Sequence, residues 1–133
     1  MRFFFDRCCP PKLVEVIDAF EDSHSVRHFR DDARFVQDTA DVEWITVLAA
    51  DHPAWVVVSM DAQILKKPHE RKALDESGLK FFLLGTGWMR MPMHEKAWKL
   101  LKVWPAILEE AQTSRLRIFE VMCGSALKVE ARR

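Results

Sequence analysis

A strand that is apolar on both faces has no side to turn toward water, and residues 55–60, WVVVSM, read as such a strand. Runs of this kind belong inside a parallel sheet covered on both sides. Residues 2–5, RFFF, and residues 80–84, KFFLL, repeat the pattern. Between these runs the apolar period changes to that of a helix. Pro10 or Pro11 suits a first helical turn, where a missing N–H has no intrahelical partner, and Leu13, Val16, Ile17 and Phe20 then fall on one stripe. Residues 24–29 read as a second strand. Asp38 or Thr39 can cap a helix in which Asp41, Trp44, Ile45 and Leu48 share a face. A charged helical stretch, 68–76, then precedes the run 80–84. Strand and helix thus alternate through residue 84, which predicts a parallel sheet with helices on both faces, because right-handed crossovers start each strand in the same direction. Further on, Ala97, Trp98, Leu101, Trp104 and Leu108 predict a helix that kinks or restarts at Pro105. Residues 115–122, RLRIFEVM, alternate as an edge strand does.

For 133 residues with no internal repeat or linker, one domain is the expectation. A composition 49% apolar and 30% charged is that of a soluble globular chain, loose only in its last few residues. Twenty Lys and Arg balance twenty Asp and Glu, so any affinity for nucleic acid has to come from a local patch. The first acid stands at position 6, too early for a signal-peptide core, and no apolar run reaches the roughly 20 residues of a membrane helix. The expected address is cytoplasmic, without a membrane partner. Cys8, Cys9 and Cys123 provide neither a disulfide framework nor the ligand spacing of structural zinc, and they read as small buried hydrophobes.

Ligands of open parallel sheets bind outside the carboxyl ends of the strands, and two of the apolar runs end there in an acid, Asp6 and Asp61. Asp41 opens a helix on the same face as Trp44 and Ile45, so its side chain is expected to point toward the sheet. Glu43 lies about 200° around that helix and points away unless the first turn is irregular. Singly, Asp6 and Asp61 also fit a turn or a helix cap, and Asp41 fits a partner of the helix dipole. Together they predict three carboxylates converging from separate parts of the chain. Carboxylates so placed repel one another unless a cation sits among them, and hard oxygen donors suit Mg²⁺ or Mn²⁺. No histidine has zinc-protease spacing, no serine or cysteine has a local nucleophile signature, and GTGW, residues 85–88, lacks the pattern of a phosphate-binding loop.

The order FFFD, then DVEW opening a helix, then WVVVSMD followed by KKPHERKAL and GLKFFLLGTGW, resembles the PIN-like ribonuclease superfamily, in particular its compact VapC-type subgroup of toxin–antitoxin systems. The likeness treats residues 2–90 as the core and 91–130 as a helical and terminal-strand extension of one domain spanning 1–133. It implies a three-layer α/β/α sandwich with a mainly parallel central sheet. The activity it implies is metal-dependent hydrolysis of RNA phosphodiester bonds. Carried over residue by residue, the metal-binding acids are Asp6, Asp41 and Asp61, with Glu43 as a further catalytic candidate and Mg²⁺ or Mn²⁺ as the cation. Lys66, Lys67, His69 and Arg71 follow Asp61 and are the candidates for contacting RNA phosphates, or else they form an ordinary solvated helix face. The implied partners are the RNA substrate and a small antitoxin protein. Five tryptophans and an alternating terminal strand leave a homodimer open. Arg7 and Cys8 stand where related sequences often carry further polar or acidic residues, and GTGW supplies no fourth acid. The alternative function is a catalytically silent interaction module that keeps the fold and accepts a partner's arginine in its acidic pocket.

Overall fold

Phe3, Phe4 and Phe5 point alternately to the two faces of a sheet, and each face acquires its own hydrophobic core. The computed structural model describes residues 1–132. Among these, six strands and five α-helices follow in the order β1 (Arg2–Phe5), α1 (Pro11–Phe20), β2 (Ser25–His28), α2 (Asp41–Ala49), β3 (Trp55–Ser59), α3 (Gln63–Lys66), α4 (Pro68–Ser77), β4 (Lys80–Leu84), α5 (Met93–Thr113), β5 (Ile118–Cys123) and β6 (Leu127–Ala131). The strands form one sheet in the order β2-β1-β3-β4-β5-β6. All its pairings are parallel except that of β5 with β6. Phe3, Phe5, Val56, Val58, Phe82 and Phe119 pack with α1 and α5, while Phe4, Trp55, Val57, Phe81 and Leu83 pack with α2, α3 and α4. The result is the expected α/β/α sandwich. Among the described residues no helix is long and apolar enough to cross a membrane.

Aromatic packing locks the central strand. Phe4 stacks on Trp44 with ring centroids 5.6 Å apart and meets Phe29, Phe35 and Trp55 edge-on. On the other face Phe3 and Phe5 lie 4.8 and 6.2 Å from Trp104. Such pairs add about 0.5–1.5 kcal/mol each beyond the area they bury. The chain leaves β1 toward β2 on one side and comes back on the other as β3. Strand order therefore reverses between β1 and β3, and the crevice at their carboxyl ends is where such sheets bind ligands.

Four expectations are corrected. The buried line of α1 is Leu13, Val14 and Ile17, whereas Phe20, the last residue of the helix, is exposed. Helix α5 runs unbroken through Pro105 and buries Leu100, Val103, Trp104, Ile107 and Ala111, with Trp98 turned outward. The Trp104 indole N–H donates to Glu21, the residue after α1, at 2.9 Å, which joins the two helices on this face. Neither Asp38 nor Thr39 caps α2, whose N-cap is Ala40; the Thr39 hydroxyl instead accepts the amide N–H of Val36 at 2.9 Å. Finally, β5 is interior, and the last residues supply the true edge, β6. The charge in β5 that resembled a solvated position is Glu120, which pairs with Arg132 at 2.7 Å.

The segment between β2 and α2 is tied down by Asp32. Its buried carboxylate accepts from Arg34 Nε at 2.9 Å and Nη2 at 2.8 Å, and Arg34 also reaches Asp51 beyond α2 at 2.9 Å. The hydrogen bonds from Arg34 hold the Asp32 carboxyl down to about 2, against an opposing push from burial. A depressed carboxyl stabilises the fold above its unfolded value near 4, and that contribution disappears as pH falls through about 2. Asp32→Asn is therefore expected to cost about 1–2 kcal/mol at pH 7, since Arg34 and Arg27, which reaches the same carboxylate at 3.3 Å, are both partly solvated. Urea denaturation should show the gap to wild type closing between about pH 4 and pH 2; a gap unchanged at pH 2 contradicts this account.

Candidate functional site

Asp6 continues β1 by one residue, since its amide N–H donates to the Val58 carbonyl at 2.9 Å. Its side chain is only 2% exposed, because the aromatic core beneath it and the neighbouring end of β3 close around it. One carboxylate oxygen accepts the Arg7 amide at 2.6 Å and the other accepts the Ser59 hydroxyl at 2.9 Å, with the Cys8 thiol 3.6 Å away. Burial pushes the Asp6 carboxyl up to about 6. The Ser59 hydroxyl and Arg7 counter that push, and the nearby charge of Asp41 adds to it. Asp6 is thus a buried acid with less positive charge around it than its ionised form demands.

Asp41 is the first residue of α2 and is placed by the core. The indole N–H of buried Trp44 donates to Asp41 Oδ1 at 2.9 Å, and Arg7 Nη2 donates to the same oxygen at 3.2 Å. The Arg7 guanidinium also stands 4.0 Å from Asp6 Oδ1, so it reaches both acids. Asp61 sits in the turn after β3. Its backbone N–H donates to Ser59 Oγ at 3.0 Å, but its carboxylate accepts the Gln63 amide at 2.9 Å at the start of α3. One hydroxyl, that of Ser59, therefore links the Asp61 backbone to the Asp6 carboxylate. Glu43 is exposed on α2 and contacts none of these acids. Among the described residues, no three His, Cys, Asp or Glu side chains stand close enough together to hold a metal ion as they are placed.

The structure thus brings Asp6 and Asp41 to one guanidinium, places Asp61 in the turn after β3 with its carboxylate on the Gln63 amide, and keeps Glu43 apart. In its chemistry the donor set suits a hard divalent cation: every donor is an oxygen, and the undercompensated Asp6 is the kind of group such an ion relieves. Asp6 and Asp41 can hold it directly, and Asp61 can join by releasing the Gln63 amide.

The four basic candidates occupy different surfaces. Lys66 lines a cavity of about 280 Å³ beside Asp61, together with Met60, Gly85, Met89 and Arg90. His69 faces a groove between α2 and α4, Lys67 is exposed where α3 meets α4, and Arg71 pairs with Asp75 at 3.1 Å. Sequence reasoning passed over Ser59 and Arg90 and treated Arg7 only as a departure from a pattern. Ser59 had a signal, being the polar residue inside the run WVVVSM.

A family model described as "PIN like domain" matches residues 1–86 of the chain, a span that holds β1 to β4 and all three aspartates. No curated protein and no solved structure matches it.

The raised Asp6 carboxyl fixes the sign of a stability effect. A carboxyl with its folded value above its unfolded one destabilises the fold when ionised, a cost absent below about pH 4 and complete above about pH 6. In metal-free protein, Asp6→Asn is expected to gain stability over wild type as pH rises from 4 to 7, by up to about 3 kcal/mol. Thermal melts in EDTA across this range check it; a difference between variant and wild type that does not move in the variant's favour from pH 4 to pH 7 contradicts it.

Proposed function

The chain belongs to the PIN-like domain family, and on that premise we propose that it is a divalent-metal-dependent ribonuclease acting as the toxin of a toxin–antitoxin pair. The observation that carries the enzymatic reading is the buried Asp6 facing Asp41 at the strand-order reversal, an arrangement that costs stability unless it serves a cation. Asp6 and Asp41 hold Mg²⁺ or Mn²⁺, and Asp61 completes the set. When bound, such an ion polarises a phosphoryl oxygen and lowers the pKa of a water that it carries. Ser59 orients the Asp6 carboxylate by its hydroxyl. Lys66 and Arg90 have no acidic partner among the described residues, and at the mouth of the neighbouring cavity they hold the phosphates flanking the scissile bond. With a net charge of zero on the whole chain, this local pair draws RNA to the acidic crevice. A small antitoxin protein that silences the enzyme does so by covering the same crevice.

Cleavage of a mixed RNA pool tests the proposal, with wild type, Asp6→Asn and Asp61→Asn compared in Mn²⁺, in Mg²⁺ and in EDTA. Metal-dependent cutting is expected, reduced by at least about 100-fold in Asp6→Asn. Equal cutting by all three proteins overturns the assignment of the site. Folded wild type that cuts in no metal overturns the enzyme and favours the silent interaction module.

A further inference from the structure

Arg7 is held more tightly than a solvated ion pair requires. Its guanidinium donates to the main-chain carbonyls of Gln37 and Thr39 and to Asp41 Oδ1, and it lies over the Phe29 ring at 4.5 Å from the centroid. These partners join the end of β1 to the segment before α2 and to the first residue of α2. That segment has no helix or strand between Asp32 and Asp41, and α2 starts without a side-chain cap. The packed helix places the backbone of Asp41 but does not fix its side chain. Arg7 and Trp44 do, and both use the same oxygen, Oδ1; among the described residues no donor reaches Oδ2.

We propose that Arg7 is the positioning residue of the acid pair: its forked guanidinium ties the 37–39 segment and Asp41 to the end of β1 and holds one oxygen of Asp41, leaving the other for a divalent cation shared with Asp6. The proposal rests on the metal-dependent reading above. Before a cation arrives, the same fixed charge moderates the repulsion between the two acids. A lysine keeps that charge but has no planar fork with which to bind two carbonyls and a carboxylate together. The opposite role is a guanidinium that fills the place of the cation and has to leave, and it differs in the sign of its effect.

Isothermal titration of folded protein with Mn²⁺ reads that sign directly, comparing wild type, Arg7→Gln and Arg7→Lys, each checked by circular dichroism. Loss of the fork is expected to weaken Mn²⁺ binding about 10–100-fold in Arg7→Gln, the range for residues that orient metal ligands, with a smaller loss in Arg7→Lys. Unchanged or tighter binding by Arg7→Gln overturns the proposal, and tighter binding identifies Arg7 as an occupant of the cation's place. If Arg7→Gln does not fold, Arg7→Lys decides, because affinity equal to wild type overturns the need for a fork and weakened affinity supports it. Wild type that binds no Mn²⁺ fails the metal-dependent reading and this proposal with it, whereas wild-type binding with unaltered variants fails this proposal alone.

Discussion

The ionised carboxylate of Asp6, enclosed at the end of the central strand, is the group that the rest of the molecule has to accommodate. Burying it is unfavourable, and one hydroxyl, one amide and a guanidinium at 4.0 Å do not fully offset that cost. Nothing in the packing of β1 requires an acid there. The three phenylalanines before it already anchor β1 in both cores, and the chain leaves the sheet immediately after it. An acid kept at such a place is best understood through what it can bind.

The scaffold around it is built to keep the acid pair in register. Phe4 stacks on Trp44, and the same indole donates to Asp41, so one aromatic contact in the core aims a carboxylate in the crevice. Across the strand, Ser59 closes β3 with its hydroxyl on Asp6 and its oxygen on the Asp61 amide. A shift of β3 against β1 would break the hydroxyl link and the β1–β3 ladder together. Groups that need placement to within about half an ångström are best carried on rigid elements, and here two of the three aspartates adjoin adjacent parallel strands while the third opens a packed helix.

Much of this was legible in the sequence, for identifiable reasons. FFF and WVVV are apolar at every position, so they announce buried parallel strands, and an acid just after such a strand has to lie at the carboxyl edge of the sheet. The face shared by Asp41, Trp44 and Ile45 follows from helical period alone. The rotation of α1 and α5 does not, because several stripes in each satisfy the same period and the choice among them is made by packing in the shared core, with Trp104 and Glu21 in contact at its rim. Arg7 was illegible for a different reason: its anchors are main-chain carbonyls 30 and 32 positions further on, and a carbonyl leaves no mark on residue type. Asp61 is intermediate, since accepting an amide two residues on in a turn and binding a cation call for the same residue at the same place.

The central claim is that Asp6 and Asp41 form one side of a divalent-cation site. Its most direct test is a crystal grown with Mn²⁺ and measured for manganese anomalous scattering. A peak is expected within coordination distance of Asp6 and Asp41, with Asp61 turned from the Gln63 amide toward it. An empty crevice in well-ordered crystals, with Arg7 still on Asp41 and Asp61 still on the Gln63 amide, would contradict it.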